Sequence, residues 1–326
     1  MTKIVVACGF GLVEQARAAL EEVAQVTVLT DDSEAALRTA LRDANTLLVS
    51  IRPVITRSFI ESAGQLRHIA RLGVGVDTVD LAAATERGIF VTNVPEVTSD
   101  SVAEFTMTLL LALAKNICRG DRAVKEGRWP ERLQLIRENI ELNGKTHGIV
   151  GLGNIGRRVA VRCRAFGMRV LYTKRNRDPE AERTLGVEYA PLDTLLKESD
   201  SISLHLPLSE ETRSLIDRPR LEAMKPSAFL INQARGEVVD GEALVWALRE
   251  GKIGGYATDV YSQEPPDPHD ELFQFKNVVA APHLGGGTRE ARLRACMTVV
   301  SEVLRIIRGE MPNNLVNREV RERTAR

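Results

Sequence analysis

Residues 146–173 read THGIVGLGNIGRRVAVRCRAFGMRVLYT, and they form the most specific segment of the sequence. A short strand-like run precedes three glycines, Gly151, Gly153 and Gly156, and a helix-like run and a second strand-like run follow them. In such a loop the first glycine permits a tight turn, the second lets a pyrophosphate approach the backbone, and the third allows the helix to pack on the strand. The segment therefore predicts a βαβ unit that binds a dinucleotide, with its phosphates at the helix N-terminus.

The residues after the second predicted strand indicate which dinucleotide binds. In an NAD-binding unit, an Asp or Glu about 20 residues beyond the glycines holds the ribose 2′-hydroxyl. Here Thr173, Lys174 and Arg175 occupy this region, and the first carboxylate is Asp178. A hydroxyl beside cations suits a 2′-phosphate, because Arg offers paired donors and Lys a point charge. A solvated basic turn is the alternative, and the sequence predicts NADP(H) in preference to NAD(H).

Short apolar runs alternate with amphipathic stretches along the whole chain, which is the pattern of α/β domains with parallel sheets. The predicted strands of the first part span 4–7, 26–29, 46–49, 68–71 and 90–92. Those of the second part span 146–150, 169–172, 201–204, 228–232, 255–259 and 278–280. Between the two parts we predict a long apolar helix over 101–116 and a charged arm over 119–143.

The last predicted helix, over 289–308, suggests a discontinuous domain. A one-sided apolar stripe runs along it through Leu293, Met297, Val300, Leu304 and Ile307. The stripe must pack on another element, and the second set of strands is already complete. We therefore expect two Rossmann-like, doubly wound parallel-sheet domains with a cleft between them. Residues 1–98 and 287–326 would form a flavodoxin-like substrate domain, and residues 99–286 the dinucleotide-binding domain.

Composition excludes several classes of partner. Lys plus Arg and Asp plus Glu each total 44, so the formal net charge is zero and no basic excess points to nucleic acid. The four cysteines lie scattered, without the spacing of a metal site or a disulfide framework. We predict no signal peptide and no apolar run long enough to span a bilayer. These features favour a cytoplasmic protein without a membrane partner or a bound metal.

The sequence resembles the D-isomer-specific 2-hydroxyacid dehydrogenase family along nearly its whole length. Besides the glycine loop, the resemblance rests on RLGVGVD (71–77), NVPEVTSDSVAE (93–104), HLPLSEET (205–212), FLINQARGEVV (229–239), DVYSQEP (259–265) and VVAAPHLGG (278–286). These motifs stand in the order that the family has. The resemblance implies an NAD(P)-dependent oxidoreductase that moves a hydride between its cofactor and a small 2-keto or 2-hydroxy acid.

The same resemblance implies, position by position, a catalytic set of Arg235, Glu264 and His283. A histidine can supply a proton near neutral pH, a carboxylate partner favours its charged form, and an arginine can hold the substrate carboxylate and polarise the carbonyl. The predicted cofactor-binding residues are Gly151, Gly153, Asn154, Ile155, Gly156, Thr173, Lys174, Arg175, His205, Pro207, Thr212 and Asp259. The predicted substrate-binding residues are Arg52, Val74 and Gly75 together with Arg235.

For the substrate, we predict glyoxylate or hydroxypyruvate, in the direction of reduction. The predicted substrate loops carry one cation, Arg52, whereas a phosphorylated acid would attract two or more. No regulatory domain is expected after residue 326, which disfavours a phosphoglycerate dehydrogenase. That activity and a nicotinamide-sensing, corepressor-type binding protein stay open as alternatives. The apolar helix over 101–116 and the arm with Trp129 also suggest a homodimer.

Overall fold

The structure is a computed structural model that describes residues 2–7, 11–31, 33–50 and 52–320. The chain divides into two compact units, each built around one parallel sheet. The first unit combines Met1–Thr98 with Thr288–Arg326, and the second is Ser99–Gly287.

The strands were predicted closely, with one exception. In chain order they are β1 (Lys3–Ala7), β2 (Gln25–Val28), β3 (Thr46–Val49), β4 (His68–Arg71), β5 (Phe90–Thr92), β6 (Thr146–Val150), β7 (Arg169–Thr173), β8 (Glu188–Tyr189), β9 (Ser201–Leu204), β10 (Phe229–Asn232), β11 (Gly255–Thr258) and β12 (Val278–Ala280). The exception is β8, which was not predicted because it has two residues and both are exposed. A strand of this kind leaves no run of apolar residues in the sequence.

Helices alternate with most of the strands, and three helices in succession lie between β5 and β6. The helices are α1 (Glu14–Glu21), α2 (Glu34–Ala40), α3 (Arg57–Ser62), α4 (Leu81–Glu86), α5 (Ser99–Ala114), α6 (Ile117–Lys125), α7 (Arg132–Glu138), α8 (Asn154–Ala165), α9 (Pro179–Leu185), α10 (Leu192–Glu198), α11 (Arg218–Ala223), α12 (Gly241–Arg249) and α13 (Arg289–Ile307). Short 3₁₀ turns cover Trp129–Glu131, Gly236–Val238 and Glu271–Gln274.

The first unit has the strand order β2-β1-β3-β4-β5, all parallel, which confirms the predicted flavodoxin-like sheet. Every residue of β3 and of β4 is buried, as expected for central strands covered on both faces. The C-terminal segment is tied to this sheet: Leu315 pairs with Thr92, and the Asn317 side chain accepts a hydrogen bond from the Val91 amide at 2.9 Å.

Helix α13 belongs to the first unit, where it packs on α1 and β4. The predicted apolar stripe on this helix is only partly right. Val300 is buried, but Leu293 and Met297 are exposed. The buried face runs instead through small and β-branched residues, namely Ala291, Ala295, Cys296, Val299, Val300 and Val303. Small side chains let the helix lie close to its neighbours. The face that carries them is therefore buried, and Leu293 and Met297 stay exposed.

The second unit has the strand order β12-β11-β10-β9-β6-β7-β8, again all parallel. Counted from β6 as the first strand, this is the Rossmann order 3-2-1-4-5-6 with one further strand at the edge. The strand order reverses between β6 and β9. In open α/β sheets, ligands bind at the carboxyl ends of the strands beside such a reversal.

Helix α5 lies in the core of the second unit, packed on α8. Its buried residues include Ala103, Leu110 and Ala114, so its near all-round apolarity is explained by burial inside its own unit. Within the described residues no single helix is long and apolar enough to cross a membrane. The α5–α6 pair, bent by 61°, passes that test of length and composition only when its two helices are taken together.

Candidate active site

The glycine loop lies between β6 and α8, where two of its glycines are required by packing. Gly151 has a φ of +101°, and a Cβ placed there would lie 2.5 Å from the His205 carbonyl oxygen. A Cβ at Gly156 would lie 2.3 Å from the Gly151 carbonyl oxygen. At Gly153, by contrast, a Cβ would have no described atom within 4 Å, so protein packing alone does not demand a glycine. A glycine at this place in a dinucleotide-binding loop lets a pyrophosphate approach the backbone, and the open space beside Gly153 fits that use.

The first turn of α8 offers amide groups to an anion. Gly153 is the N-cap residue, and among the described side chains none caps this helix end. Asn154 is exposed and Ile155 is half-buried at this end. The backbone N–H groups of a helix N-terminus and the helix dipole together favour a phosphate at such a position. The residues of the loop therefore fit a dinucleotide.

The basic residues after β7 each contact an acidic partner. Lys174 Nζ lies 3.2 Å from Asp178 Oδ2, and an Arg175 nitrogen lies 2.6 Å from a Glu211 oxygen. Arg157, in the first turn of α8, also contacts Asp178 Oδ2. The sequence did not predict Arg157 as part of this cluster. The signal that could have found it is its place directly after Gly156, on the helix that follows the glycine loop.

The loop after β9 brings together three of the predicted cofactor residues. The Thr212 hydroxyl donates to the Pro207 carbonyl oxygen at 2.7 Å and accepts a hydrogen bond from the Ser209 amide at 2.8 Å, which closes the loop. His205 lies 2.9 Å from the Ser203 hydroxyl through Nε2. Burial lowers the pKa of His205 to about 3, so this imidazole is neutral.

The predicted catalytic residues follow the carboxyl ends of three neighbouring strands, with Arg235 after β10, Glu264 after β11 and His283 after β12. His283 Nδ1 lies 2.9 Å from Glu264 Oε2 and 3.0 Å from Oε1. Burial raises the pKa of Glu264. The hydrogen bond and charge of His283, together with the charge of Arg235, outweigh burial and hold that pKa below its usual range. Glu264 is therefore an anionic carboxylate in contact with the His283 ring.

Backbone packing fixes the Arg235 loop against the Glu264 loop. A Cβ at Gly236 would lie 2.2 Å from the Ser262 amide nitrogen, so only glycine allows this approach. The Asn232 side-chain amide donates to the Arg235 carbonyl oxygen at 2.8 Å. Because these contacts involve backbone atoms, the two loops hold a fixed spacing.

Asp259 ties the end of β11 to the loop that carries His283. Its carboxylate accepts hydrogen bonds from the Gln233 side chain at 2.6 Å and from the Gly285 amide at 2.7 Å. Burial raises the pKa of this carboxyl. No role was predicted for Gln233, although a polar residue between a buried strand and Arg235 was a signal. His283 itself has a φ of +54°, a left-handed conformation that these contacts maintain.

Three of the four predicted substrate residues, Arg52, Val74 and Gly75, lie in the first unit, after the carboxyl ends of β3 and β4. Arg52 is exposed. The Gly75 carbonyl oxygen accepts hydrogen bonds from Arg71 Nε at 3.0 Å and Nη2 at 2.8 Å, and the Val74 carbonyl oxygen accepts one from Asn93 at 2.7 Å. Arg71 and Asn93, which the sequence did not single out, therefore fix the backbone of this loop. Ile51, beside Arg52, lies outside the described residues.

In the part of the chain that the structure describes, no group of three or more His, Cys, Asp or Glu side chains could hold a metal ion. The chemistry available is that of an acid–base pair, an arginine and a dinucleotide loop. Together with the Rossmann sheet, these define a nicotinamide-dependent dehydrogenase.

Comparison with known proteins identifies the family. The model of the D-isomer specific 2-hydroxyacid dehydrogenase NAD-binding domain matches residues 107–285. The glyoxylate reductase of Aeropyrum pernix is 45% identical over 284 residues, which cover 86% of this chain and 84% of that protein. The NADPH-dependent glyoxylate/hydroxypyruvate reductase of Sinorhizobium meliloti is similar in structure, with a TM-score of 0.84, 29% identity, and coverage of 98% of this chain and 99% of that one.

A third similar protein is the D-lactate dehydrogenase of Aquifex aeolicus, solved with NAD and lactic acid. Its TM-score is 0.88 at 30% identity, with 97% of this chain and 99% of that one covered. The chain described here belongs to the D-isomer specific 2-hydroxyacid dehydrogenase family. It is an oxidoreductase that acts on the CH–OH group of a 2-hydroxy acid with a nicotinamide cofactor.

Proposed function

We propose that this enzyme reduces glyoxylate or hydroxypyruvate to the corresponding 2-hydroxy acid and prefers NADPH to NADH. The contact between His283 Nδ1 and Glu264, beside Arg235, carries this proposal. It is the arrangement that a 2-keto acid reduction needs. The name of the Aeropyrum pernix relative, glyoxylate reductase, supports the choice of substrate.

Each catalytic side chain has a separate task. Bound nicotinamide supplies the hydride. His283 gives a proton to the carbonyl oxygen, and its Nε2 is available for this because Nδ1 faces Glu264. Glu264, whose pKa is held low, stays anionic and favours the charged imidazolium. Arg235 binds the substrate carboxylate and stabilises the charge that develops on the carbonyl oxygen.

The substrate assignment also rests on Arg52, Val74 and Gly75 in the first unit. The Val74–Gly75 backbone is held by side chains behind it, and we propose that its amides bind the substrate carboxylate. Arg52 would then hydrogen-bond the C3 hydroxyl of hydroxypyruvate. In this scheme the first unit is the substrate domain, formed by 1–98 with 287–326, and residues 99–286 form the cofactor domain.

The NADPH preference rests on the basic residues after β7. Thr173 offers a hydroxyl, and Lys174 and Arg175 offer charge-assisted donors that fit a 2′-phosphate. The Sinorhizobium meliloti relative is named as NADPH-dependent, whereas the Aquifex aeolicus relative was solved with NAD. Similar proteins therefore use either NADPH or NAD, and we propose that the residues after β7 determine which of the two this enzyme prefers.

We also propose a homodimer held by the arm that α6, the following 3₁₀ turn and α7 form. Large apolar side chains stand exposed on this arm, at Ile117, Val124, Trp129, Leu133 and Ile136. The arm also borders a groove of about 1130 Å³ within the second unit, lined in part by Leu113, Ile140 and Phe275. Exposed apolar patches of this kind mark protein–protein contacts, and a second copy of this chain would cover them.

A substrate panel tests the reaction. We expect kcat/KM with NADPH to be highest for glyoxylate or hydroxypyruvate, compared with pyruvate, phenylpyruvate and 3-phosphohydroxypyruvate under one condition. Each assay is followed by the absorbance of NADPH and repeated with NADH. A tenfold lead of the phosphorylated or aromatic acid would overturn the substrate assignment, and no turnover of any acid would overturn the reductase.

A further inference from the structure

Two cations from different elements meet at one carboxylate oxygen beside the glycine loop. Arg157 Nη2 and Lys174 Nζ both contact Asp178 Oδ2. The other oxygen, Oδ1, accepts the Ala181 amide at 3.1 Å and so caps α9. Asp178 is therefore fixed by its own helix, and it brings the guanidinium of α8 next to the ammonium that follows β7.

We propose that Arg157 and Lys174 together form the binding site for the adenosine 2′-phosphate, with Asp178 as the counter-ion between them. This inference rests on the proposed NADPH preference and deepens it, because it names Arg157, which no motif marks for this task. It also assigns the 2′-phosphate to a pair of residues on two elements, in place of the basic turn after β7 alone.

Position supports the assignment. Arg157 follows Gly156 directly, and Lys174 follows Thr173, whose carbonyl oxygen accepts the Gly151 amide at 3.0 Å. Both cations therefore adjoin the loop that holds the pyrophosphate. The Arg157 and Lys174 side chains are 39% and 32% exposed, so a ligand can reach them, whereas the Asp178 side chain is 14% exposed.

The charges around the pair also favour a phosphate. Arg177 is held by both oxygens of Glu182, at 2.8 and 2.7 Å, and Arg175 is paired with Glu211. These two cations are thus matched one to one with carboxylates. Arg157 and Lys174 instead share a single carboxylate, which leaves one net positive charge at the pair. A guanidinium has five N–H donors, and the contact with Asp178 uses one of them.

A pair of nucleotides that differ only in the 2′-phosphate tests the site. Adenosine 2′,5′-bisphosphate and adenosine 5′-monophosphate are titrated calorimetrically into the unmodified protein, into Arg157→Gln and into Arg158→Gln. Arg158 is the matched control, because it stands next on the same helix, is 32% exposed and pairs with Asp100 instead. The monophosphate also reports whether each variant is folded.

We expect the unmodified protein to bind the bisphosphate at least tenfold more tightly than the monophosphate. Arg157→Gln should lower this ratio by about fivefold to tenfold, through weaker bisphosphate binding, and should leave the monophosphate unchanged. Arg158→Gln should stay within about twofold of the unmodified protein, because exposed charges at a distance are screened.

The unmodified protein could bind the bisphosphate more tightly than the monophosphate while the ratio of the two affinities is the same in Arg157→Gln and Arg158→Gln. That result would overturn the role of Arg157, and the reductase activity and its NADPH preference would stand. Equal binding of the two nucleotides by the unmodified protein would overturn both the site and the preference. The reductase would still be judged separately, by the substrate panel.

Discussion

At the scale of single residues, removal of the His283 imidazole should lower kcat more than any other single change in the proposed mechanism. Its Nδ1 contacts Glu264, and in the proposed mechanism its Nε2 gives the proton to the substrate. We expect His283→Ala to lower kcat for glyoxylate reduction by about 10²–10⁴-fold, the usual contribution of a positioned acid. Stopped-flow kinetics measure the change, and adenosine 5′-monophosphate affinity serves as the control. A near-normal kcat would remove His283 from the mechanism.

In the proposed mechanism, Glu264 sets the pH range of the same step. Its carboxylate, whose own pKa is held low, contacts the ring that would donate the proton, and an adjacent anion stabilises a cation. In Glu264→Gln the imidazolium loses its charged partner, so the proton leaves at lower pH. The descending limb of the kcat/KM profile for reduction should therefore move to lower pH. A limb that stays in place, measured from about pH 5 to about pH 10 in one mixed buffer, would show that Glu264 does not act through His283.

At the scale of elements, the β6–α8 turn contains a glycine that packing requires, Gly156, and one that packing does not require, Gly153. A Cβ at Gly156 would meet the Gly151 carbonyl oxygen, and backbone cannot move aside cheaply. Gly156→Ala should destabilise the fold by about 1–3 kcal/mol and lower Tm, as overpacking does. Gly153→Ala should leave Tm within a degree or two but weaken cofactor binding, since its Cβ meets no described atom within 4 Å. Differential scanning calorimetry with a cofactor titration distinguishes the two, and equal Tm losses would contradict this division.

Elements with a strong internal period were predictable from the sequence, and contacts between elements were not. The strands β3, β4, β6 and β9 were predicted to the residue, because each is short, apolar and bounded by turns. The contact face of α13 was misjudged, since helical spacing gives candidate faces and neighbouring elements choose among them.

The candidate site shows the same limit. Arg235, Glu264 and His283 were implied by motifs, and the structure brings Glu264 and His283 into contact. Arg157 and Gln233 were not found, because their partners, Asp178 and Asp259, lie 21 and 26 residues away along the chain. Residues this far apart are not related by the period of a helix or a strand, so only the three-dimensional structure shows that they are in contact.

At the scale of the whole molecule, the exposed apolar residues on the arm predict the assembly. We expect a dimer in sedimentation velocity at micromolar concentration. Leu133→Glu with Ile136→Glu should shift it toward monomer, because charges buried in an apolar contact are costly. Val161→Glu is the matched control, since Val161 on α8 is 52% exposed, as is Ile136. A monomeric unmodified protein would overturn the arm as an interface.

The discontinuity of the first unit also orders events during synthesis. The ribosome releases β1 to β5 before the second unit, but α13 and Asn317, which lies 226 residues beyond Val91, emerge only after it. Until then Ile4, Val6 and Leu48 lack the helix that covers them. The second unit is contiguous and can fold as it emerges, since domains fold as units during translation. The nascent chain therefore carries an uncovered N-terminal sheet until α13 has been synthesised, and this apolar surface is the kind that chaperones bind.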